Sequence, residues 1–470
     1  MKKNIYDVII IGSGSAGFSA AEAARSQGAR VCVIEQGHLG GECPNFACVP
    51  SKALLKTAQI YRTIQHAREY GIQMSAVTFD FAQIMNYRKE VVETMTGGGT
   101  HGNRYEKLFA SLGIDVKFGQ AKFIDEKTIQ VGEECIVGKS FVIATGTMDF
   151  VPPISGLESV KYLNWKEALR LTLQPKSIAI IGGGPVGCEI ATFYTSFGTR
   201  VVLLQSAPRL LPREEEEISA RVLERMRALK VDVVLNAKIL EVVNGGVGVY
   251  GVNVEVGSEK VMHAVQYIVL AAGKRANTKT LALDEVGVQV DDQGSIRTNK
   301  QQATSNKSIF AAGDVDGGMQ FTHTAHHEGV VAGYNAALVA KKKRTAKKTS
   351  DERVVPRVTF LDPEVASVGM TEEEVKQKFK KVLVGRCELS TLGRTVTEHR
   401  RFGMLKIIAH PKTGVVLGGH MIGDRAGEVI HEIALAMYLK ISIEKLSKLI
   451  HAYPTFSEAI AVAASLAKVV

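Results

Sequence analysis

The sequence predicts an α/β protein with two parallel βαβ domains followed by a third, α+β domain. A glycine-rich turn between an apolar strand and an alanine-rich helix occurs near the amino terminus, and a second such turn occurs after residue 181. Beyond a lysine-rich stretch, strand and helix patterns alternate over residues 354–470 without another such turn. A chain of 470 residues is long enough for about three domains.

The first βαβ unit consists of a strand over residues 7–11, a turn, a helix that extends to about Gln27, and a strand over residues 30–35. Its turn has the pattern G-x-G-x-x-G, which lets backbone N–H groups approach a pyrophosphate at a helix amino terminus. Glu35 ends the second strand, where a carboxylate accepts hydrogen bonds from an adenosine ribose. The predicted dinucleotide-binding residues of the turn are Gly12, Gly14, Ser15, Ala16 and Gly17.

The second unit repeats this arrangement with a strand over residues 177–181, a turn, a helix over 188–197 and a strand over 200–205. Two such Rossmann-like units indicate two dinucleotides, or one dinucleotide and a degenerate copy. Here Gln205 takes the place of the ribose-binding acid, and Arg209 follows it. Loss of the acid removes repulsion against a 2′-phosphate, which favours NADPH and leaves NADH open. The predicted binding residues of this turn are Gly182, Gly184, Pro185, Val186 and Gly187.

These units set the predicted domain boundaries. The first domain covers residues 1–150 and is completed by about 275–345, the second covers 151–274, and the third covers 354–470. Pro152 and Pro153 mark the first crossover, and the lysine-rich segment from Lys341 to about Arg353 is predicted to be an exposed linker.

Six cysteines are too few for a secreted disulfide scaffold. Cys43 and Cys48 are separated by four residues and could ligate a metal or form a redox pair; the chain offers no second cysteine pair for a tetrahedral site, so we favour the redox pair and predict no metal. A thiol near a helix start reacts as thiolate, and Lys52 adds positive charge. Cys32 and Cys188 are expected to be packing residues.

The net charge of +10 and pI near 9.1 raise the question of nucleic acid as a partner. Much of the excess lies in Lys341–Arg344 and Lys347–Lys348, without interleaved aromatic residues. We therefore expect no nucleic-acid partner. No apolar stretch reaches the roughly 18 residues that span a bilayer, and no secretory signal pattern begins the chain, so we expect a cytoplasmic protein without a membrane partner.

The cysteine segment carries a family resemblance. Cys43, Asn45 and Cys48, followed by Pro50, Ser51 and Lys52, give the pattern C-x-N-x-x-C-x-P-S-K. With the two glycine turns, this resembles the pyridine nucleotide–disulfide oxidoreductases, which include dihydrolipoamide dehydrogenase, glutathione reductase and mercuric reductase, over essentially the whole chain. The resemblance implies FAD and NADPH or NADH as cofactors, and a homodimer assembled through the third domain.

The resemblance also implies roles for individual residues. Cys48 would be the thiolate beside the flavin, Cys43 would exchange with substrate, and Lys52 would lie near flavin N5 and pair with Glu189. The stretch Pro363–Gly369 would begin the dimerisation domain. Further expected cofactor contacts are Gly41 and Glu42 beside Cys43, Ala121 at adenine, the segment Ala144, Thr145 and Gly146 at FAD, Asp314 at the ribityl chain, and Gly273 at the end of the nicotinamide domain.

Near the carboxyl terminus the sequence departs from the disulfide-reducing members. Tyr453 stands at the position of their histidine base, while Glu458 is retained five residues later. A phenol, with a pKa near 10, does not take a proton at pH 7 as imidazole does. His451, two residues before Tyr453, is a candidate to replace the missing histidine base. Pro185 also replaces the aromatic gate of glutathione reductases.

Tyrosine at this position resembles mercuric reductases, although their carboxyl-terminal cysteine pair is missing from the sequence. The leading hypothesis is therefore a mercuric-reductase-like enzyme that reduces a soft-metal, quinone or small disulfide acceptor. Two other enzyme hypotheses stay open: a dihydrolipoamide dehydrogenase-type enzyme, and a flavin diaphorase or transhydrogenase with regulatory cysteines. A nucleic-acid-binding protein stabilised by FAD ranks last.

Overall fold

The structure is a computed structural model that describes residues 5–246, 248–343 and 347–470. The chain divides into two compact units. Unit 1 comprises Met1–Ser51, Asn86–Phe150 and Gly273–Glu352. Unit 2 comprises Lys52–Met85, Val151–Ala272 and Arg353–Val470.

The secondary structure alternates between strands and helices along most of the chain. In chain order the strands are β1 (Ile5–Ile11), β2 (Val31–Glu35), β3 (Asp115–Phe118), β4 (Ala121–Asp125), β5 (Thr128–Val131), β6 (Glu134–Ile143), β7 (Thr147–Asp149), β8 (Leu163–Asn164), β9 (Ser177–Ile181), β10 (Arg200–Leu204), β11 (Asp232–Val234), β12 (Lys238–Asn244), β13 (Tyr250–Val256), β14 (Glu259–Val265), β15 (Tyr267–Leu270), β16 (Lys274–Ala276), β17 (Ile309–Ala311), β18 (Arg357–Thr359), β19 (Glu364–Gly369), β20 (Leu383–Glu388), β21 (Met404–Ala409), β22 (Val416–Gly423) and β23 (Lys468–Val469).

The α-helices are α1 (Ser15–Ser26), α2 (Glu42–Asn45), α3 (Cys48–Gln65), α4 (Phe81–Thr96), α5 (Asn103–Ser111), α6 (Trp165–Ala168), α7 (Pro185–Ser196), α8 (Glu216–Ala228), α9 (Thr322–Ala340), α10 (Glu372–Phe379), α11 (Gly393–Thr397), α12 (Ala426–Tyr438), α13 (Ile443–Ser447) and α14 (Glu458–Ser465). Short 3₁₀ turns occur at Ala67–Tyr70, Leu157–Ser159, Leu283–Val286, Asp314–Asp316 and Leu389–Thr391.

Unit 1 contains a sheet in the order β3-β2-β1-β6-β5-β4, with β17 also paired to β6. Strands β3, β2, β1, β6 and β17 are parallel, whereas β4, β5 and β6 form an antiparallel meander. The central strand β1 is buried over Val8–Ile11, which is why the sequence there is a continuous apolar run. Helices α1 and α9 pack on one face of this sheet, around Ala20, Ala24 and Ala336. The predicted α/β class is confirmed here.

Unit 2 contains a second parallel sheet in the order β11-β10-β9-β15-β8, and an antiparallel three-stranded sheet, β12-β13-β14. The chain returns from β9 to β10 through α7, which is the βαβ connection that the second glycine turn predicts. The sequence suggested that this helix starts at Cys188, whereas α7 begins three residues earlier, at Pro185. The reason is local: proline is well suited to the first helical position because its missing N–H would have no partner there.

The carboxyl-terminal part of unit 2 is a sheet in the order β18-β19-β22-β21-β20-β23, with the helices α12 and α14 packed against it. All of its strand pairs are antiparallel. Its apolar core includes Leu405, Ile407, Ile430 and Ile460, all fully buried. This is the α+β domain that the sequence predicts.

The lysine-rich segment is exposed at Lys342, Lys343, Lys347 and Lys348, as expected of a linker. The predicted linker residues 344–346 lie outside the described part of the chain. Among the described residues, no helix combines the length and apolar character that a membrane span requires.

Candidate functional site

The first glycine turn connects β1 to α1 and is shaped by backbone packing. Gly12 has a φ of +97°, and a Cβ there would lie 2.3 Å from the carbonyl oxygen of Ala144. A Cβ on Gly17 would lie 1.9 Å from the carbonyl oxygen of Gly12. The first turn of α1 carries no acidic side chain. A helix amino terminus with no acidic side chain in its first turn fits the pyrophosphate of a dinucleotide.

Glu35 closes this turn from the end of β2. Its Oε2 accepts hydrogen bonds from the backbone N–H (2.9 Å) and the hydroxyl (2.6 Å) of Ser13. Its Oε1 accepts from the N–H of Gly37 at 2.9 Å. The carboxylate is therefore fixed at the edge of the turn, with the negative charge that a ribose diol would require.

The cysteine segment lies directly against the first glycine turn. Gly41 has a φ of +69°, and a Cβ there would lie 2.6 Å from the Cα of Gly14. Any other residue at position 41 would collide with the turn, so this contact requires glycine at position 41. Cys43 follows two residues later in α2. The structure therefore brings the predicted phosphate loop and the predicted redox segment together within unit 1.

Asn45 holds the segment between the two cysteines in place. This buried side chain donates from Nδ2 to the carbonyl oxygens of Leu39 (3.0 Å) and Gly41 (2.9 Å). Cys43 and Cys48 are both half-buried. The asparagine thus ties the short helix α2 to the glycines before it, and so fixes the backbone from which Cys43 projects.

Cys48 lies at the start of two helices. It is the first residue of α3, and its sulfur lies 3.5 Å from the hydroxyl oxygen of Thr322, the first residue of α9. Neither helix has an acidic residue in its first turn. Helix amino termini carry partial positive charge, so both helices favour a thiolate at Cys48. The sequence predicted the α3 start; it gave no signal for Thr322.

Asp314 follows strand β17 and is half-buried. Burial raises the pKa of its carboxyl group, Lys274 opposes this, and Glu42 adds to it. Lys274 donates to Glu42 Oε2 at 2.6 Å. Glu42 and Asp314, both predicted cofactor contacts, thus form one electrostatic cluster with Lys274 in unit 1. Lys274 is the cation of this cluster.

Glu328 on α9 supports the same corner of the fold. Its Oε2 accepts a hydrogen bond from the N–H of Gly313 at 2.6 Å, and the side chain is only 2 % exposed. Burial, followed by the nearby carboxylate of Asp316, raises the pKa of Glu328 to about 9. Glu328 is therefore a neutral acid at pH 7, and it anchors the glycine immediately before Asp314.

The segment Ala144, Thr145 and Gly146 extends from the end of β6. The N–H of Ala144 donates to the Ile11 carbonyl at 2.8 Å, which places the segment beside the first glycine turn. Thr145 Oγ1 donates to the carbonyl of Asn277 (2.8 Å), and the N–H of Asn277 donates to Gly146 (3.0 Å). Ala121, predicted to face adenine, is buried at the start of β4 in the same unit.

The second glycine turn, in unit 2, repeats the first one. Gly182 has a φ of +117°, and a Cβ there would lie 2.3 Å from the carbonyl oxygen of Ala271. Gln205 takes the role that Glu35 has in unit 1: its Oε1 accepts from the N–H of Gly183 at 3.0 Å. The first turn of α7, like that of α1, carries no acidic side chain. This turn also fits a dinucleotide, with an uncharged amide where the first turn has a carboxylate.

The arginines around the second turn differ in position. Arg209 is half-buried, and its carbonyl accepts from Gln205 Nε2 at 3.3 Å. Arg200 begins β10, at the end opposite to Gln205, and donates to the carbonyl of Ala264. Arg209 is therefore the arginine that adjoins the turn, and Arg200 is not, although both are close in sequence.

Lys52 and Glu189 form an ion pair within unit 2, as the resemblance implied. The Lys52 ammonium lies 3.0 and 2.9 Å from the two carboxylate oxygens of Glu189. It also lies 4.6 Å from the centre of the Phe360 ring, and the N–H of Phe360 donates to Glu189 Oε1 at 2.9 Å. Phe360, which the sequence did not single out, thus fixes both partners.

The carboxyl-terminal candidates do not form a base-and-orienter pair. Tyr453 is 78 % exposed, and a Cβ on Gly393 would lie 2.8 Å from its phenol oxygen. Glu458, the first residue of α14, accepts the N–H of Thr455 at 2.9 Å. The His451 side chain is nearly buried, with Nε2 3.0 Å from Glu432. His451 is held by Glu432 and does not share the exposed position of Tyr453.

Three carboxylates converge in unit 2 in a way that could suggest a metal centre: Glu215, Glu217 and Glu372. The ammonium of Lys406 lies 2.6, 2.6 and 2.7 Å from them. Lys406 is only 1 % exposed, and burial lowers its pKa less than these carboxylates raise it. The cation of this site is thus a lysine of the chain itself.

His323 and His327 lie four residues apart on α9, a spacing at which two histidines could ligate one metal ion. The Nε2 of His327 accepts the N–H of Asp351 at 3.2 Å, and the His323 ring stacks on Phe321 with 5.4 Å between centroids. Both rings are therefore engaged in contacts within unit 1. Cys32 and Cys188 are fully buried, as expected of packing residues, and burial raises the pKa of Cys32 to about 12.

Comparison with known proteins gives a consistent result. Residues 6–329 match the family model "Pyridine nucleotide-disulphide oxidoreductase", and residues 355–464 match the dimerisation domain of the same family. A mercuric reductase of Staphylococcus aureus is 36 % identical over 460 residues, which cover 98 % of this chain and 82 % of that protein. A dihydrolipoyl dehydrogenase of Geobacillus stearothermophilus is 33 % identical over 468 residues, covering 98 % of this chain and 96 % of that one.

Solved structures resemble the whole chain as well. The HOCl-induced flavoprotein disulfide reductase RclA from Escherichia coli has a TM-score of 0.84 at 29 % identity, covering 98 % of this chain and 100 % of that chain. A Cu(II) complex of RclA gives a TM-score of 0.85 at 28 % identity, covering 99 % and 100 % of the two chains.

Proposed function

The chain belongs to the pyridine nucleotide-disulphide oxidoreductase family, and from this premise we propose that it passes two electrons from NADPH through FAD to the cysteines Cys43 and Cys48, which then reduce a soft metal ion. The family is FAD-dependent and uses NAD(P)H, so the chain is an oxidoreductase. The finer parts of the proposal are the acceptor, the nicotinamide and the roles of single residues.

The observation that carries the proposal is the position of Cys48. Its sulfur lies at the start of α3 and 3.5 Å from Thr322 at the start of α9, so two helix dipoles favour a negative charge on it. The contact of Gly41 with Gly14 holds the cysteine segment at the phosphate loop. A stabilised thiolate beside a dinucleotide site is what a dithiol relay requires.

Four residues have a defined part in the proposed relay: Cys43, Cys48, Lys52 and Glu189. The FAD, when bound, accepts hydride from the nicotinamide and passes electrons to sulfur. Cys48 holds negative charge at the cofactor end, and Cys43 attacks or binds the acceptor. By family resemblance we assign Lys52 to flavin N5, and Glu189 orients the Lys52 ammonium through the contacts at 2.9 and 3.0 Å.

Electrons and protons balance over the cycle. NADPH and one proton reduce a Cys43–Cys48 disulfide to two thiols, giving NADP⁺. The two sulfurs then give two electrons to the acceptor, either one Hg(II) or two Cu(II), and reform the disulfide with release of two protons. This step needs no proton donor for a leaving thiol.

The proton requirement favours a metal over a disulfide as the acceptor. Reduction of a small disulfide needs a group that moves a proton to the leaving thiol, and Tyr453 has a side chain whose ordinary pKa is near 10. His451 is engaged by Glu432, and Glu458 accepts the N–H of Thr455. Soft metal ions are bound by thiolates directly. The similar mercuric reductase of Staphylococcus aureus and the Cu(II) complex of RclA agree with this class.

We propose NADPH as the preferred nicotinamide. Gln205 gives the second turn an amide in place of a carboxylate, so a 2′-phosphate meets no repulsion there. The backbone carbonyl of Arg209 accepts from this amide, and we assign the Arg209 guanidinium, which donates to the Pro212 carbonyl at 3.1 Å, to the 2′-phosphate. In the first turn, Glu35 keeps the carboxylate that suits an unphosphorylated adenosine ribose.

We propose a homodimer in which the third domain meets its copy. This domain matches the dimerisation domain of the family. The end of α12 and the loop after α13 expose large apolar side chains at Leu435, Tyr438, Leu439 and Ile450, the last 94 % exposed. Exposed apolar patches of this kind can mark subunit interfaces. In such a dimer the exposed Tyr453 is expected to serve the partner's cysteine pair.

The proposal is tested by anaerobic reduction of the FAD-loaded protein with NADPH, followed by mixing with Hg(II), Cu(II), lipoamide, glutathione disulfide or a quinone. We expect a long-wavelength charge-transfer band on two-electron reduction, absent in Cys48→Ser, and rapid flavin reoxidation by the metal ions. The exposed Cys135 provides the control Cys135→Ser, which should behave as wild type. A band that persists in Cys48→Ser would refute the relay.

The diaphorase alternative is separated by Cys43→Ala. If the cysteines only regulate, Cys43→Ala retains turnover with every acceptor. In the relay, metal reduction is lost while NADPH still reduces the flavin. If lipoamide or glutathione disulfide reoxidises the enzyme faster than the metal ions, the acceptor class proposed here is wrong.

A further inference from the structure

Unit 2 contains a cavity of about 220 Å³ that the proposed reaction does not use. It is lined by residues of α3 and α8 and by loops of the carboxyl-terminal domain. Its polar lining includes Arg62, Arg225, Arg400, Asp362 and Asp424. Its volume is far larger than a single water molecule requires, so the cavity has room for a small ligand.

The carboxylates of the cavity are already committed to two of the arginines. Arg62 binds Asp362 Oδ2 through Nε at 2.8 Å and through its terminal nitrogen at 2.7 Å. Arg400 lies 3.3 Å from Asp362 Oδ1 and 3.3 Å from Asp424 Oδ2. These contacts fix the two guanidinium groups in position.

Arg225 is left with weaker compensation. It donates from Nε to the backbone carbonyl of Asp362 at 2.7 Å, which offers a dipole and not a full charge. Burial lowers the pKa of Arg225, the negative charge of Asp362 opposes this shift, and the positive charges of Arg62 and Arg400 add to it. Among the described residues, the cavity lining contains four arginines, Arg62, Arg225, Arg400 and Arg401, and three carboxylates, those of Glu69, Asp362 and Asp424, so positive charge is in excess by one. Such a charge is costly to bury without a partner.

The mouth of the cavity adds one more guanidinium group and a paired carboxylate. Arg401 and His66 are exposed at its edge, where His66 Nδ1 lies 2.7 Å from Glu69 Oε1, and the rings of Tyr70 and His399 meet edge to face with 5.0 Å between centroids. Guanidinium groups present paired N–H donors that match the oxygens of a phosphate, and they retain their charge at every physiological pH.

We propose that this cavity binds the phosphate group of a small phosphorylated molecule. The dianion supplies the charge that Arg225 lacks, and Arg62 and Arg400 are held ready by Asp362 and Asp424. The site is distinct in sequence from both glycine turns, and it is independent of which acceptor the cysteines reduce.

The test is calorimetric titration of the FAD-loaded protein with inorganic phosphate, with sulfate as a second probe and ionic strength held constant by sodium chloride. We expect saturable phosphate binding in wild type. Arg225→Gln and Arg400→Gln should each weaken it at least about tenfold, the loss expected for one charged hydrogen-bonding group. The matched control is Arg221→Gln, because Arg221 lies on the same helix and pairs with Glu224 and Glu388 away from the cavity.

Phosphate binding that is absent in wild type, or equal in Arg225→Gln and Arg221→Gln, overturns the proposal and leaves a purely structural ion network. Arg400→Lys, which keeps the charge and loses the paired donors, is measured in parallel, so that poor folding of one variant leaves a result. We expect it to bind phosphate more weakly than wild type and more tightly than Arg400→Gln. Flavin content and circular dichroism verify the folding of each variant.

Discussion

Glu189 holds Lys52 by both of its carboxylate oxygens, at 3.0 and 2.9 Å, while the N–H of Phe360 donates to one of the same oxygens. The three groups come from α3, α7 and the loop after β18. The ammonium of Lys52 is one-third exposed and the carboxylate is nearly buried. Glu189 therefore fixes the direction of the Lys52 side chain.

Glu189→Gln should weaken this contact without changing its shape. The amide oxygen can still accept from Phe360, but the charge that balances Lys52 is lost. We expect the free energy of unfolding to fall by about 1–3 kcal/mol, between the values for exposed and buried pairs. We also expect flavin reduction by NADPH to slow about tenfold as Lys52 loses its fixed position. Urea unfolding and stopped-flow absorbance measure the two effects.

The control for this variant is Glu255→Gln, which breaks the surface pair with Lys238 at 2.9 Å. It should leave both the unfolding midpoint and the rate of flavin reduction unchanged. If Glu189→Gln is as stable as wild type and equally fast, the pair has neither role.

Thr322→Val should reduce the thiolate signal at Cys48. Valine keeps the shape of threonine but removes the hydroxyl that lies 3.5 Å from the sulfur. We expect less charge-transfer absorbance in the two-electron-reduced enzyme at pH 7, recovering as the pH is raised, because a less stabilised thiolate forms only at higher pH. Thr57→Val, which removes a hydroxyl elsewhere on α3, is the control. Equal absorbance in both variants would exclude the Thr322 contribution.

Gln205→Glu should reverse the nicotinamide preference. The carboxylate can still accept the N–H of Gly183, as Glu35 accepts the N–H of Ser13 in the first turn. It also repels a 2′-phosphate, so we expect kcat/KM for NADPH to fall at least about tenfold, with a smaller effect for NADH. Arg200→Ala serves as control because Arg200 lies at the other end of β10. A fall of equal size for both nicotinamides would contradict the assignment.

Glu328→Gln should flatten the dependence of stability on pH. Burial raises the pKa of Glu328 from 4.5 to about 9, so the folded protein keeps a proton that the unfolded chain releases. Wild-type stability contributed by this group is therefore complete below pH 4.5 and is lost as the pH rises to about 9, at up to about 1.4 kcal/mol per unit. Glutamine does not titrate and can still accept the N–H of Gly313.

The measurement for Glu328 is urea unfolding at pH 6, 7, 8 and 9. The variant should gain stability relative to wild type as the pH rises. The exposed Glu285 provides the control Glu285→Gln, whose profile should run parallel to wild type. If Glu328→Gln also runs parallel, the carboxyl group is already ionised in the folded protein at neutral pH.

The sequence predicted those features that depend on short-range geometry. Both glycine turns, the strands beside them and the start of a helix at Cys48 follow from backbone rules that act over a few residues. The Lys52–Glu189 pair, 137 residues apart, was predicted only through the family resemblance.

Contacts between distant segments left no local signal. Thr322 lies 274 residues from Cys48 in sequence, and Phe360 lies 171 residues from Glu189. His451 shows the same limit. Its position beside Tyr453 in sequence suggested a shared role, but its partner is Glu432 of helix α12. The arginine cavity likewise assembles from α3, α8 and loops far apart in the chain.

Lys406 gives this cluster of glutamates a counter-ion that is a side chain of the same polypeptide. Elsewhere, three converging glutamates are neutralised by a divalent ion that can be stripped by a chelator or lost to a competing protein. Here the neutralising ammonium, within 2.7 Å of Glu215, Glu217 and Glu372, is permanently tethered. For the soft-metal reductase proposed above, this part of the framework would therefore not depend on how much metal surrounds it.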